Sequence, residues 1–343
     1  MGTITIKDIA EKCGVGISTV SRALNNHPDI SKDTKDKIMK VIAENNFVPN
    51  NSARNLKRTA SKTIAILVKG IDNPFFSKMI RVFEKEINKE RYSFFLQHVD
   101  NNDNEIDVAI QLVNEKKLKG IVFLGGYFNH SEEKLRKLKV PFVLSTVGIM
   151  DSHEGSLSSS VSVDDKKESY RMVDYLCSLG HQKIAILSAG KEDESIGRLR
   201  LEGYLEALKT NKIEVDENLI CYMTEEYDAY SMRSGYEMTK KLLESKHPFT
   251  AIFAVSDMVA IGACKAIFDV GKKIPEDYSI AGFDGLRNTF YFQPPITTIK
   301  QPIEEIAEES IRMLFSMISK KKPVPNKIFE GELMKRDSTR SIG

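Results

Sequence analysis

The sequence contains no run of about 18 apolar residues, the length that a bilayer-crossing helix requires, so no such span is expected. Its four cysteines, Cys13, Cys177, Cys221 and Cys264, lie far apart without paired spacing, which fits buried thiols in a reducing cytoplasm rather than a disulfide framework. Six histidines show no metal-ligand spacing. The opening "MGTITIKDIAEK" places charge where an export signal needs an apolar core, and Ile6 stands where a myristoyl acceptor would want Ser or Thr. Catalytic signatures are missing too. "GSLSSSVS" lacks the strand–turn–helix surroundings of a nucleophile elbow, and "AIGA" and "FLGGY" lack the phosphate-loop lysine and the dinucleotide fingerprint. The expectation is a cytoplasmic protein that is not an enzyme, with no metal, no cofactor and no membrane partner.

What is present is ordinary in bulk and uneven in detail. With 343 residues, 41% hydrophobic and 29% charged, the chain is long enough for two or three globular domains. The first 62 residues hold eleven basic side chains against six acidic ones, a net +5, so the remaining 281 carry −3 of the overall +2. A basic head on a mildly acidic body suggests a polyanionic partner for the head.

The head reads as three short helices. "TIKDIAEKCGV" puts Ile6, Ile9 and Ala10 on one face, and "ISTVSRALNN" puts Ile17, Val20 and Leu24 in helical register. "SKDTKDKIMKVIAENNF" aligns Ile38, Val41, Ile42 and Phe47, with Ser31 as a good N-cap. Ala10 is small where two helices would cross closely. Gly14, four residues later, suits a turn that needs a left-handed residue, and Val15 and Val20 would fill the angle between the helices. That spacing is a helix-turn-helix pattern.

From Ile64 the pattern becomes short apolar strands alternating with amphipathic helices. "TIAILV", "YSFFLQHV", "GIVFLG" and "PFVLST" predict one set of strands; "KIAILSA", "LICYMT", "AIFAVS" and "YSIAGF" predict a second. Apolar strands with helical crossovers indicate parallel sheets covered on both faces. "KTIAIL" at 62–67 matches "QKIAIL" at 182–187, which suggests two similar α/β lobes. "SHEGSLSSSVSVDD" reads as a Ser-rich surface loop leading into a crossing strand, and residues 302–319 as a final amphipathic helix. Two open sheets side by side form a cleft, and ligands of such sheets sit beyond the carboxyl ends of the strands.

The segment from Thr3 to Arg58, "TIKDIAEKCGVGISTVSRALNNHPDISKDTKDKIMKVIAENNFVPNNSARNLKR", resembles the head and hinge of the lactose/galactose repressor family of bacterial transcription regulators. The lobes that follow resemble that family's effector domain, similar in turn to type I periplasmic sugar-binding proteins. The resemblance implies an all-α helix-turn-helix head plus an α/β body of two doubly wound parallel-sheet lobes. Its divisions would be 1–49 for the head and 50–61 for a hinge helix and linker. Lobe 1 would take 62–162 with 291–320, and lobe 2 would take 163–290 with 321–343.

In that family the second helix lies in the major groove. Carried over, Ile17, Ser18 and Arg22 read base edges: Ile17 by apolar contact with a thymine methyl, Ser18 as donor or acceptor, Arg22 by a bidentate pair on guanine. Thr19, Ser21 and Asn25 would bond phosphate and fix register. A core position is the alternative for Ile17. Gly16 stands where the family has a serine cap, a loss of only a few tenths of a kcal/mol. The resemblance makes "NNSARNLKR" the hinge helix entering the minor groove, with Leu56 as the wedge, Ala53 beside it, and Arg54, Lys57 and Arg58 supplying charge against phosphate. A helix this short is marginal alone, because isolated helices under about 12 residues scarcely hold in water. Paired with its twin on DNA it can order, which makes folding and binding one event.

In the body the resemblance points to Asn73, Phe75 and Phe76 in "DNPFFSK" for lobe 1, with Phe75 and Phe76 against a sugar or, alternatively, packing a helix onto the sheet. For lobe 2 it points to Arg198 in "GRLRLEGY", Tyr230, Ser256 and Asp284, with Asp257 as a neighbouring N-cap. The chain departs from the family pattern at Ser145-Thr146-Val147, where an acid followed by Arg is frequent, and at Ser256, which replaces a frequent Asn. The implied function is a sequence-specific regulator that represses carbohydrate genes and is released by a sugar-like inducer. The alternative is the same build with a ligand or a phosphocarrier protein as corepressor; a sugar-binding transport protein or sugar enzyme is more distant. The partners implied are a pseudo-palindromic double-stranded DNA operator, a small-molecule effector and a second copy of the chain. A homodimer rather than a tetramer is expected, because no leucine-rich heptad tail follows "ELMKRDSTRSIG".

Overall fold

A computed structural model describes residues 4–24, 29–45, 62–100, 103–127, 132–148, 158–224 and 226–342, and the chain divides into two compact units, Met1–Ser61 and Lys62–Gly343. In the first unit, α1 (Ile6–Cys13), α2 (Ile17–Leu24) and α3 (Lys32–Glu44) enclose a small core of Ile9, Ala10, Cys13, Val20, Ala23 and Ile38. Thr5 and Asp8 cap α1 reciprocally: the Thr5 N–H donates to Asp8 Oδ2 at 2.8 Å, and the Asp8 N–H donates to Thr5 Oγ1 at 3.4 Å. Gly14 takes φ +68°, the left-handed geometry expected of the turn, and its N–H closes on Glu11 O at 3.1 Å. Ser31 caps α3 through the Thr34 N–H. Ile17 is not in the core as its helical register suggested. It opens α2 and is 48% exposed, because the inward phase of this helix falls on Val20 and Ala23.

The second unit holds two six-stranded sheets. The first is built from β1 (Thr63–Lys69), β2 (Ser93–Val99), β3 (Leu118–Leu124), β4 (Phe142–Ser145), β5 (Ser158–Val163) and β11 (Lys327–Phe329) in the order β11-β5-β4-β3-β1-β2, every pair parallel. The second is built from β6 (Ile184–Ser188), β7 (Ile220–Tyr222), β8 (Ala251–Ala254), β9 (Ser279–Asp284), β10 (Thr297–Lys300) and β12 (Glu332–Met334) in the order β12-β10-β9-β8-β6-β7. Only β12 runs antiparallel there, against β10. Helices α4 (Pro74–Lys89), α5 (Glu105–Glu115) and α6 (Glu132–Lys137) connect strands of the first sheet. Helices α7 (Asp165–Ser178), α8 (Ile196–Thr210), α9 (Met232–Glu244), α10 (Asp257–Asp269) and α11 (Arg287–Tyr291) connect strands of the second. Helix α12 (Ile303–Lys320) returns to pack along α4 and across β3, β4 and β5.

Two segments sit in sheets other than those the sequence divisions gave them. Residues 291–320 were assigned to lobe 1, yet β10 pairs with β9, so the chain crosses back only at Gln301–Ile303. Residues 321–343 were assigned to lobe 2, yet β11 pairs with β5. Both strands are three or four residues long, too short for apolar periodicity to reveal them. The Ser-rich stretch also differs: Ser159, Ser160 and Ser162 are buried in β5 rather than looped on the surface. Burial is tolerable because their polar groups find partners, Ser159 Oγ on Val324 O and the Ser160 N–H on Asn326 Oδ1 at 2.9 Å.

Candidate functional site

In the first unit, α2 turns one face outward. Ile17, Ser18 and Arg22 are exposed, Thr19 and Ser21 half-buried, while Val20 and Ala23 hold the helix to α1 and α3. An exposed isoleucine at a helix start beside an exposed arginine one turn on gives an apolar contact and a fork of donors on the same surface. Asn25 and the hinge positions Ala53, Arg54, Leu56, Lys57 and Arg58 lie outside the described residues.

In the second unit, the carboxyl ends of the strands bring together a buried ionic cluster. Arg200, on the second turn of α8, is 1% exposed. Its Nε donates to Asp165 Oδ1 at 2.9 Å, Nη2 lies 2.8 Å from the same oxygen, and Nη1 donates to Val255 O. Its guanidinium stacks 3.6 Å from the centroid of Phe283, and Nη1 stands 3.7 Å from Asp284 Oδ1. Asp284 ends β9 with φ +119° and is 3% exposed. Gln301 Nε2 donates to its Oδ1 at 3.0 Å, while Oδ2 has no hydrogen-bond partner of ordinary geometry. The Asn73 side-chain amide approaches from the first sheet and favours the ionised carboxylate, without closing a bond of good geometry on Oδ2. Burial pushes Asp284 up to about 6 against the pull of Arg200, and Asp165 up to about 6 for the same reason. Burial also raises Asp257, whose oxygens accept from Thr298 Oγ1 at 2.7 Å and the Leu286 N–H at 2.6 Å.

A second group closes one side of this site. Lys69, at the end of β1, reaches Glu105 Oε2 at 3.4 Å and Asp103 O at 2.8 Å and sits 4.0 Å from the centroid of Tyr127. Gly125 and Gly126, at φ +72° and +104°, turn the chain there; a Cβ on Gly126 would stand 2.5 Å from Glu105 Oε1, which instead accepts the Tyr127 N–H at 2.8 Å. Tyr127 makes a backbone bridge with Ser195 across the two sheets. The Tyr230 hydroxyl lies 2.9 Å from Ser195 Oγ and 3.2 Å from Asp193 Oδ2, and burial raises its pKa.

The structure sorts the residues marked in the sequence unevenly. Asn73 and Asp284 meet across the sheets, and Tyr230 stands near Arg200. Asn73 also caps α4 through the Phe75 N–H at 3.0 Å. Phe75 and Phe76, 2% and 8% exposed, pack edge-to-face at 5.8 Å in the core, Phe76 against Gly70 and Gly125 at the strand ends. Ser256 and Asp257 exchange the expected roles: Ser256 caps α10 through the Val259 N–H, and Asp257 braces the β9 turn. Arg198 is the wrong arginine of its pair. It is exposed and bonds only Glu202, at 3.3 Å, whereas Arg200 points inward. The helix phase carried this information, since Gly197, Gly203, Tyr204 and Ala207 share the inward face with Arg200 at spacings of three, four and seven. A surface cavity of about 480 Å³ between α4 and α12, lined by Glu86, Tyr92, Arg312 and Phe315, lies apart from these strand ends and gathers no buried polar cluster. Among the described residues no group of His, Cys, Asp or Glu could hold a metal, and no helix is long and apolar enough to cross a membrane.

Helix-turn-helix head and paired parallel sheets with a polar cluster at their strand ends define a DNA-binding regulator with a ligand-sensing body. Residues 5–50 match the model of the bacterial regulatory proteins, lacI family, and residues 173–339 match a periplasmic binding protein-like domain. The chain is 40% identical over 341 residues to the HTH-type transcriptional regulator MalR of Clostridium butyricum, covering 99% of this chain and 100% of that protein. It therefore belongs to the lacI family of bacterial transcription regulators. A family regulator from Enterococcus faecium, solved with bound ribose, is 31% identical with a TM-score of 0.70, over 82% of this chain and 100% of that one. The lac repressor dimer bound to operator shares the fold at TM-score 0.76 and 24% identity, over 99% of this chain and 100% of the other.

Proposed function

We propose that this chain is a dimeric repressor of carbohydrate genes, released from a pseudo-palindromic operator when a small effector binds at the facing strand ends of its body. Ile17, Ser18 and Arg22 read bases, Thr19, Ser21 and Asn25 hold phosphates, and the hinge around Ala53, Arg54, Leu56 and Lys57 wedges the minor groove. The observation that carries the reading is the outward face of α2, where Ile17 is left 48% exposed beside Arg22 although a complete core lies directly behind it. Two such faces related by a two-fold axis would meet half-sites about one helical turn apart. Bound ribose in the Enterococcus faecium regulator supports a sugar-like effector.

Selection of DNA from a random pool, followed by gel shifts across a salt series, tests this. The expected outcome is a palindrome whose affinity falls steeply with salt, with Arg22→Ala costing about 1–3 kcal/mol on it and little on random DNA. Enrichment of no palindrome rejects the proposal. Adding ligand to the formed complex then fixes the sign: release marks an inducer, and tightening marks a corepressor.

A further inference from the structure

The charge balance at the strand ends says what kind of effector they can take. Two basic side chains contact the carboxylates of this site, and both are already committed. Arg200 spends Nε and Nη2 on Asp165 and Nη1 on Val255 O, with Asp284 beside it. Lys69 is held by Glu105, Asp103 O and the Tyr127 ring. The stretches of the body outside the described residues, 101–102, 128–131, 149–157, 225 and 343, contain no lysine or arginine. Facing these two cations are Asp165, Asp284 and Glu105, with Asp257 close to Asp284, so acidic groups are in excess.

Two buried polar atoms of this region are left open, Asp284 Oδ2 at the end of β9 and Thr146 Oγ1 just beyond β4. Buried polar atoms of folded chains are nearly all partnered, so an open pair where ligands of such sheets sit marks places for ligand atoms. Asp284 Oδ2 can only accept, and Thr146 can donate or accept. A hydroxyl meets both requirements. A carboxylate or phosphate would add like charge beside Asp284 with no uncommitted cation to receive it, and could bind only by breaking the Arg200–Asp165 or Lys69–Glu105 pair. An ammonium brings three donors and finds two open atoms.

Resting on the effector reading above, we propose that this site selects an uncharged polyhydroxylated ligand that donates a hydroxyl to Asp284 Oδ2, and that it rejects the acidic and amino counterparts of the same sugar. Effector specificity is thus set by what the protein's own carboxylates have already taken from Arg200 and Lys69.

The test is a thermal-shift and calorimetric comparison on the full chain at pH 7.5 with matched sets: glucose, glucuronate, glucose 6-phosphate and glucosamine; ribose and ribose 5-phosphate; maltose and cellobiose. At least one uncharged sugar should raise the melting temperature, with its charged counterparts binding at least tenfold more weakly. Asp284→Asn, which turns the acceptor partly into a donor, should weaken the uncharged sugar about tenfold, and Thr146→Val should weaken it less. Equal or tighter binding by an acidic or amino sugar overturns the proposal. So does undiminished binding by a folded Asp284→Asn variant, and the wild-type comparison stands even where a variant does not fold. Silence from every probe rejects the effector reading itself, an outcome distinct from selective binding of the wrong class.

Discussion

The strand ends of the two sheets face the same site with different chemistry. Those of the second sheet carry a prebuilt ionic frame in which Asp165, Arg200, Asp257 and Asp284 are all 3% exposed or less, braced by Gln301, Thr298 and a stack on Phe283. Those of the first sheet carry Phe76, Ser145 and Thr146, with one ion pair, Lys69–Glu105, beside Tyr127. Charges buried this deeply hold fixed directions, because moving any one strands its partner. The second sheet therefore orients a ligand. The first, mostly apolar, supplies shelter and one open hydroxyl.

The largest expected effect comes from removing the centre of the frame. Arg200→Met leaves Asp165 and Asp284 buried without a counter-charge, and breaking a buried pair in this way costs about 3–5 kcal/mol. Urea denaturation of the variant should show a loss of that size together with loss of effector response. A loss below about 1 kcal/mol, the range of exposed pairs, would mean that the frame is not electrostatically coupled and that the contrast between the sheets is only apparent.

A smaller effect sharpens the same contrast through pH. Asp284 and Asp165 are raised by burial to about 6 in the folded chain. A carboxyl raised on folding binds its proton more tightly when folded, so its contribution to stability is full below about 4, the unfolded value, and is lost as pH rises through 6. Exposed carboxylates such as Glu330 and Asp277, whose pKa values are lowered by Lys167 and by the Lys273 N–H, pull the other way, so the readout is a difference. Between pH 7 and pH 4.5, wild type should gain on Asp284→Asn by an amount on the order of 1–3 kcal/mol. Parallel stability curves for the two proteins would remove Asp284 from the frame.

What the sequence disclosed, and what it hid, follows from the same physics. Strands such as β1 and β6 are unbroken apolar runs and were legible to within a residue or two. Strand β5 was hidden because its inward residues are serines, whose burial depends on partners 165 residues away, Val324 and Asn326, that no local pattern reveals. Strands β10, β11 and β12 are too short for periodicity, so the crossings between the sheets were misplaced. At the site, Asp284 and Asn73 were found because each ends or follows a legible strand. Asp165 and Gln301 were missed because each matters only through a contact between elements distant in sequence.

The smallest expected effect concerns the residue that sequence reasoning chose in place of Arg200. Arg198 lies two positions earlier on α8, which rotates it about 200° around the helix axis and out toward solvent. Its one ion pair, to Glu202, is exposed on both sides, 54% and 40%, where screening and side-chain entropy leave little net stabilisation. Arg198→Ala should change stability by less than about 0.5 kcal/mol and leave effector affinity unaltered in the same titration that abolishes the response of Arg200→Met. If Arg198→Ala instead lost the effector, the ligand would have to sit outside the frame, against the solvent-facing side of α8, and the division of labour between the two sheets would fail with it.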